Sequence, residues 1–354
     1  MKKYLILPGV LVLFLIVALI WRPWARAGEK ARELHLAIWA NYLDPAVVAE
    51  FEKETGIKVV EENFDSNESL LAKIEAGAEG YDLIVPSDYS VQALIQAGRL
   101  AELDHARIPN VKHLSPRFRE IWYDPGNRYS VPYLWGTTGI GYDASRVNPA
   151  PESWADLLEA ARVEKYKGRV GMMDDAREAI GAALRWKGRS INSTDAGELA
   201  EAKALLIAQK PFVARYDSET YDDLILSGAL VMAQGWSGDF AKARAENANV
   251  RYVVPKEGGV IWADNFAIVK TSKHKAEAEA FIDFVMRPEV NARIVNTLKY
   301  PSSNEAAKAF VKAEVLSDPG VYPPEDVMKR LEWIRQVGEA SDLYDRVWTE
   351  VKNE

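Results

Sequence analysis

Short apolar runs alternate with capped helical runs along most of this chain, and that alternation most narrows the folds open to it. Leu34–Trp39 reads as a strand. Asp44 then stands as an N-cap with Pro45 at the first helical position, and Gly56 closes the helix. Lys58–Glu61 is a second strand, and a helix over Asn67–Ala76 is stopped by Gly77. Tyr81–Pro86 and the helix Val91–Ala97, ended by Gly98, repeat the pattern. This βαβα rhythm predicts an α/β fold with mostly parallel strands and helices on the sheet faces. In such folds ligands sit beyond the carboxyl ends of strands. Three tripeptides fall at strand ends: Trp39-Ala40-Asn41, Ser87-Asp88-Tyr89 and Trp236-Ser237-Gly238.

Tyr129–Tyr142 reads as extended, with Gly136, Gly139 and Gly141 inside it, which suits a bent crossover between two bodies. A second βα series follows: strand Arg169–Met173, a helix from Asp175, helix Ala196–Gln209, and strands Phe212–Tyr216 and Ala229–Gln234. Gly258-Gly259, flanked by Arg251–Pro255 and Val260–Val269, is placed to carry the chain back. Helices are expected at Lys275–Met286 and Glu289–Leu298 and throughout Pro323–Lys352. At 354 residues the chain exceeds one ordinary core. Two crossings predict two lobes of discontinuous segments, residues 33–136 plus 264–303 and residues 137–263 plus 304–350.

The N-terminus is different in kind. Met1-Lys2-Lys3 precedes an apolar run from Tyr4 to Trp21, with Arg22 and Arg26 after it, so residues 1–27 read as a signal peptide or membrane anchor. Ala25-Arg26-Ala27 offers a small-x-small cleavage site, whereas the run is about as long as the ~20 residues of a membrane span. Both readings put the body outside the cytoplasm. The chain has no Cys, so no disulfide or lipid-modified Cys is available. Residues 1–27 hold four basic residues and no acid, so 40 of the 44 Lys+Arg face all 52 Asp+Glu in the body, a net of −12 rather than −8. That surplus argues against nucleic acid and fits a cationic ligand, although solubility alone accounts for it equally well.

Asp174-Asp175-Ala176-Arg177-Glu178 sits where a strand becomes a helix. At that spacing Asp175 and Glu178 are neighbours on one face, and two close carboxylates repel unless a cation or proton lies between them. The same pair also fits a capping box at a helix start. Trp236-Ser237-Gly238-Asp239 marks another strand-to-helix turn, where an indole either packs locally or faces a ligand, and Asp239 fits a cap as well. Trp262 and Asp264 lie two apart on an extended run and so share one side. A buried carboxylate there needs a partner. Trp39 and Tyr42 add aromatics at a further strand end. The four histidines are scattered and no cysteine exists, so no metal or cofactor is expected. The spacing around Trp236-Ser237-Gly238 does not make a nucleophile elbow.

Those stretches, with Ile38-Trp39-Ala40-Asn41-Tyr42, Tyr81–Ser87, Ser130–Gly136, Glu257–Asp264 and Tyr300-Pro301, are similar to the spermidine/putrescine-binding proteins of bacterial ABC uptake systems. The resemblance runs from Leu34 to the C-terminal helix. It implies a two-lobed, type II periplasmic-binding fold, each lobe a mostly parallel sheet flanked by helices and joined by two hinge crossings. It also implies a periplasmic, monomeric protein that hands its polyamine to a membrane permease. By position it assigns Trp39, Tyr42, Ser87, Tyr89, Trp236, Trp262 and Tyr300 to an aromatic and hydroxyl box, and Asp175, Glu178 and Asp264 to amine binding. Asp239 matches an acid of the putrescine-preferring branch. Asn41 stands where the family usually carries an acid, and Ile334 where the spermidine branch has Gln, with Gln336 nearby. The first weakens one amine pocket unless Asp239 serves it, and the second weakens the spermidine reading, which leans the resemblance toward putrescine or another diamine. Three other readings are a site for a different small organic cation, an exported hydrolase or lyase using Asp175 and Glu178, and an anchored binding lobe for signalling.

Overall fold

The computed structural model describes residues 32–77 and 80–354, and the expected signal or anchor segment lies outside them. Strand β1 (Arg32–Trp39) leads into helix α1 (Pro45–Thr55). The Asp44 side chain accepts from the Ala46 N–H at the start of α1, and Gly56 turns left-handed at its end. Val47 and Phe51, four apart, form its buried stripe. Strand β2 (Ile57–Phe64), helix α2 (Asn67–Glu75), strand β3 (Leu83–Ile84) and helix α3 (Asp88–Gln96) complete the first βα series. β1 runs parallel to both β2 and β3. Helix α3 begins three residues earlier than Val91, because Ser87 takes the cap position and Asp88 enters the first turn.

Two long strands follow the expected crossings. β4 (Ser130–Asp143) is buried along its whole length and pairs antiparallel with β9 (Val260–Ile268) from Ser130 to Thr138, with an irregularity between Pro132 and Trp135. Its far half, Thr138–Tyr142, pairs instead with β7 (Met232–Trp236). β5 (Val170–Met172) then joins β7 to β6 (Val213–Tyr216), both pairings parallel. The path β2-β1-β3-β9-β4-β7-β5-β6 thus has a parallel set at each end and an antiparallel join in the middle. Helix α4 (Ala176–Trp186), helix α5 (Ala196–Gln209), helix α6 (Tyr221–Leu226) and helix α7 (Ser237–Glu246) belong to the second series. β8 (Val250–Val253) adds to the edge of β4. Helices α8 (Lys275–Val285) and α9 (Pro288–Leu298) return to the first series.

Each series has its own core. Leu34, Leu36, Phe51, Ile84, Phe266 and Phe281 are among the residues of one, and Ile140, Trp154, Met172, Ile180, Leu206 and Trp348 of the other. A smaller cluster around Tyr221 and Phe240 lies beneath α7. The segment after Asn304 touches both: Ala307, Val315 and Val321 are buried in the first core, Tyr344 and Trp348 in the second.

The region expected to be helical over Pro323–Lys352 is not continuous. A single turn at Glu325–Met328 gives way to strand β10 (Glu332–Trp333), which pairs with Val260 and Ile261 of β9, and only helix α10 (Ser341–Asn353) is long. Glu332 accounts for the break. Its carboxylate accepts from Arg185 (2.5 Å), Ser190 Oγ (2.8 Å) and the Ile191 N–H (3.1 Å), which draws the chain onto the sheet edge.

Inside β4 a Cβ at Gly141 would overlap the Phe240 ring, which is fully buried. Gly141→Ala is therefore expected to destabilise the protein by about 1–3 kcal/mol, the cost of overpacking, read as a lower urea midpoint.

Candidate functional site

All twelve residues singled out from the sequence line one cavity of about 300 Å³ between the two series. Trp39 closes β1 and is held by its indole N–H, which donates to the Val85 carbonyl at 3.0 Å. Asn41 follows in the left-handed region (φ 55°), which asparagine tolerates better than most side chains, and the turn leaves it at the exposed rim. Tyr42 then tucks inward. Trp262 packs so closely over Gly136 that a Cβ there would meet its six-membered ring. Tyr300 lies in the same way on Gly238, at the start of α7. The rings form a continuous chain: Phe64 to Trp39 at 4.6 Å, Trp39 to Trp236 at 6.1 Å, Trp236 to Trp262 at 6.2 Å, Trp262 to Tyr300 at 5.4 Å and Tyr300 to Tyr42 at 5.5 Å. Most meet tilted or edge-on, the favourable geometry for aromatic quadrupoles, so ring faces remain free to meet a ligand.

The acids come in separate stations. Ser87 and Asp264 pair as an isolated β-bridge. Ser87 Oγ accepts from Asn67 at 3.0 Å and donates to Asp264 at 2.7 Å. Asp264 is 4% exposed, and burial lifts its carboxyl to about 7 despite that hydrogen bond. At the start of α4, Asp175 accepts from the N–H groups of Arg177 (2.8 Å) and Glu178 (3.0 Å). Only the Asp175 half of the expected capping box is present, because the Glu178 carboxylate turns into the cavity and away from the helix start, and both residues line the cavity. Glu178 receives Thr138 Oγ1 on one oxygen at 2.8 Å, and its other oxygen has no partner. Burial first, then Asp175, pushes Glu178 up to about 8. Asp239, in the first turn of α7, accepts from the Tyr221 hydroxyl, and Tyr221 in turn receives the Trp236 N–H at 3.0 Å. Tyr89 points away from free solvent and donates to Glu68 at 3.0 Å.

Sequence reasoning missed several lining or supporting groups. Asn67, Thr138 and Tyr221 orient Ser87, Glu178 and Asp239, but nothing in their local pattern marks them, because each acts across the fold. Asp88 stood in a strand-end tripeptide without a role. Asp222, Asp223 and Lys242 enter the lining from α6 and α7. Burial, with Asp239 nearby, lifts Asp222 to about 7.

Nine carboxyl side chains and a single lysine line this cavity. Among the described residues none of Asp88, Asp175, Glu178, Asp239 and Asp264 has a Lys or Arg within the 4.0 Å of an ion pair. Tyr42 OH, Trp262 Nε1, Glu178 Oε2 and Ser218 Oγ are buried without hydrogen-bond partners. Buried polar atoms are rarely left so, and four around one cavity mark a place built to receive something.

A cavity of this kind, at the join of two α/β lobes linked by crossing strands, is that of a solute-binding protein. Residues 46–323 match the family described as bacterial extracellular solute-binding protein, and the chain belongs to that family. It is 36% identical over 330 residues to the spermidine/putrescine-binding periplasmic protein of Escherichia coli K12, covering 93% of this chain and 94% of that one. It is 37% identical over 343 residues to the putrescine-binding periplasmic protein PotF of the same organism, covering 92% and 93%. The structure resembles the spermidine/putrescine ABC transporter substrate-binding protein PotD of Streptococcus pneumoniae, solved with calcium and HEPES. The TM-score is 0.78 and identity 33%, over 91% of this chain and 99% of that one.

The raised Glu178 has a consequence for stability. An unfolded Glu ionises near 4.5, so the folded, ligand-free protein holds this proton longer and loses stability progressively as pH rises from about 4.5 to about 8. Glu178→Gln removes that loss. Relative to wild type its Tm is expected to be several degrees higher at pH 9 and little changed at pH 4, with the gap opening between, measured by calorimetry without ligand.

Proposed function

We propose that this chain captures a polyamine outside the cytoplasm and delivers it to the permease of an ABC uptake system. The observation that carries the reading is a set of buried carboxyls without cationic partners beside a continuous chain of aromatic rings. Each half of that arrangement suits a protonated alkyl amine. An ammonium over an indole gains ~0.5–2 kcal/mol, and a charge-assisted hydrogen bond to a carboxylate ~1.5–3 kcal/mol. The methylenes between nitrogens fit ring faces that exclude water. Glu178 Oε2 and Tyr42 OH offer acceptors to ammonium groups, while Asp264, oriented by Ser87, takes a second station. The binding set we assign is Trp39, Asn41, Tyr42, Ser87, Tyr89, Asp175, Glu178, Trp236, Asp239, Trp262, Asp264 and Tyr300.

Among polyamines a short diamine fits best. Asn41 at the rim brings a neutral acceptor, and Ile334, buried in the cavity wall, presents hydrocarbon where a middle nitrogen would need a polar partner. Asp239 supports this by adding an acid on the α7 side.

The mechanism is capture by closure, without turnover. The lobes we assign are residues 33–136 with 264–303 and residues 137–263 with 304–350, hinged on β4 and β9. Ligand shifts the equilibrium toward the closed form, in which Tyr300 seats on Gly238. Asp175 is engaged by two N–H groups of its own helix, which suits a group held in place better than one exchanging protons with a substrate. The protein is expected to act as a monomer in the periplasm.

A thermal-shift panel of putrescine, cadaverine, spermidine, spermine and amino acids tests the class, since a ligand stabilises by RT ln(1 + [L]/Kd). Diamines are expected to give the largest shifts. Asp264→Ala should then weaken putrescine by about tenfold or more in calorimetry while the fold persists. No shift with any amine would refute the reading.

A further inference from the structure

Asp88 has no part in the site as assigned above, yet it lines the same cavity and is 1% exposed. Its position is set by the Ser87–Asp264 bridge. One carboxyl oxygen accepts from its neighbour's N–H, that of Tyr89, at 2.7 Å, and the other accepts from the Ala263 N–H at 3.4 Å. Asp88 and Asp264 therefore flank the same pair of chain segments, and both are shut off from water. The charged and titratable groups around Asp88 come from three other elements. Asp264 faces it from β9, Arg177 and Glu178 from α4, and Tyr123 from the segment before β4. Of these only Arg177 is a cation, and it is committed elsewhere. Its guanidinium donates to the Arg335 carbonyl (3.1 Å) and to Asn192 (2.9 Å), and it lies 4.6 Å from the centre of the Tyr344 ring.

Two carboxyls so placed do not both ionise in an empty cavity, because burial disfavours each anion, Asp264 raises the cost at Asp88, and Arg177, engaged by its own hydrogen bonds, offsets only part of it. Burial holds Asp88 well above the ordinary carboxylate range, with Asp264 adding to the effect. The first turn of α3 favours an anion at Asp88, but a helix terminus is worth only ~0.3–1 kcal/mol at a surface, too little to ionise both acids. The orphaned Tyr42 OH and Glu178 Oε2, each on a residue at most 6% exposed, point to an occupant in the same space.

We propose that Asp88 is a charge-setting residue of this cavity: buried beside Asp264 on the same wall, it does not ionise together with Asp264 while the site is empty, and an arriving ammonium displaces the retained proton to solvent. The inference rests on the cationic-ligand reading and deepens it by making capture proton-linked. The ligand supplies a positive charge and the pair gives up a proton, so the buried charge changes little on binding. Neutral solutes of the same shape cannot drive this exchange, so Asp88 sharpens selection for cations. Affinity for a diamine rises with pH while the pair is being discharged.

Two readouts test it on the full-length protein. In the first, putrescine binding is measured by calorimetry at pH 7 in buffers of different ionisation enthalpy. Asp88→Asn is expected to release at least about half a proton fewer than wild type. In the second, Tm is followed without ligand from pH 5 to pH 8. Both carboxyl positions ionise at lower pH once unfolded, so wild-type stability falls as pH rises, and the fall should be shallower in Asp88→Asn. Asp88→Ser keeps an acceptor for the backbone N–H and serves if the Asn variant folds poorly. Unchanged proton release with parallel Tm curves would overturn the proposal, and Asp88 would then be only a structural acid of α3. A wild-type protein that ignores every polyamine would refute the ligand reading, and the ligand-free Tm curves would still decide whether Asp88 holds a proton in the empty cavity.

Discussion

The antiparallel pairing of β4 with β9 is the constraint on which the rest of the molecule hangs. Both strands are buried throughout, and each belongs to the two series at once: β9 pairs with β3 at one end, β4 with β7 at the other. Because side chains alternate along a strand, one face of this pair presents Trp262 and Asp264 into the cavity. Thr138 on β4 reaches Glu178, and Gly136 gives Trp262 its seat. A hinge built this way can flex without scattering the site, since the residues nearest the bend are also those that touch the ligand space.

Around that hinge the molecule accepts an electrostatic debt. Carboxyls at the starts of α3, α4 and α7 gather from separate helices, Asp88 and Asp175 accepting from local N–H groups and Asp239 from the Tyr221 hydroxyl. Together, and away from water, they are unfavourable as anions, which is why Glu178 and Asp264 ionise so late. The aromatic chain makes this worse by excluding water and better by offering ring faces to a cation. In the proposed reading, protons relieve part of this cost in the empty cavity and an alkyl ammonium would relieve more of it, so that selectivity for charge would rest on desolvation.

Much of this was legible in the sequence. Caps such as Asp44-Pro45 with Gly56, and the spacing of apolar residues, reported α1, β1 and their successors because local propensity and burial agree there. The glycines of β4 suggested a bent crossover, and the structure adds that Trp262, Val253 and Phe240 approach them closely. What misled was the stretch after Pro323, whose helical composition is overruled by the hold of Arg185, Ser190 and Ile191 on Glu332. Likewise Asn67, Thr138 and Tyr221 were invisible as site residues, since their importance lies in hydrogen bonds to groups distant in sequence.

By itself the sequence determined which residue types meet strand ends, how many lobes to expect, and that any ligand must suit indoles and carboxyls. Those are consequences of short-range rules: periodicity, capping and the alternation of side chains. Only the tertiary structure decided that the acids stand without cations, that Arg177 is turned away to Arg335, Asn192 and Tyr344, and that Asp88 lies diagonal to Asp264. Charge state in a buried site depends on every group within a few ångströms, whatever its place in the chain, and the fold alone sets that neighbourhood.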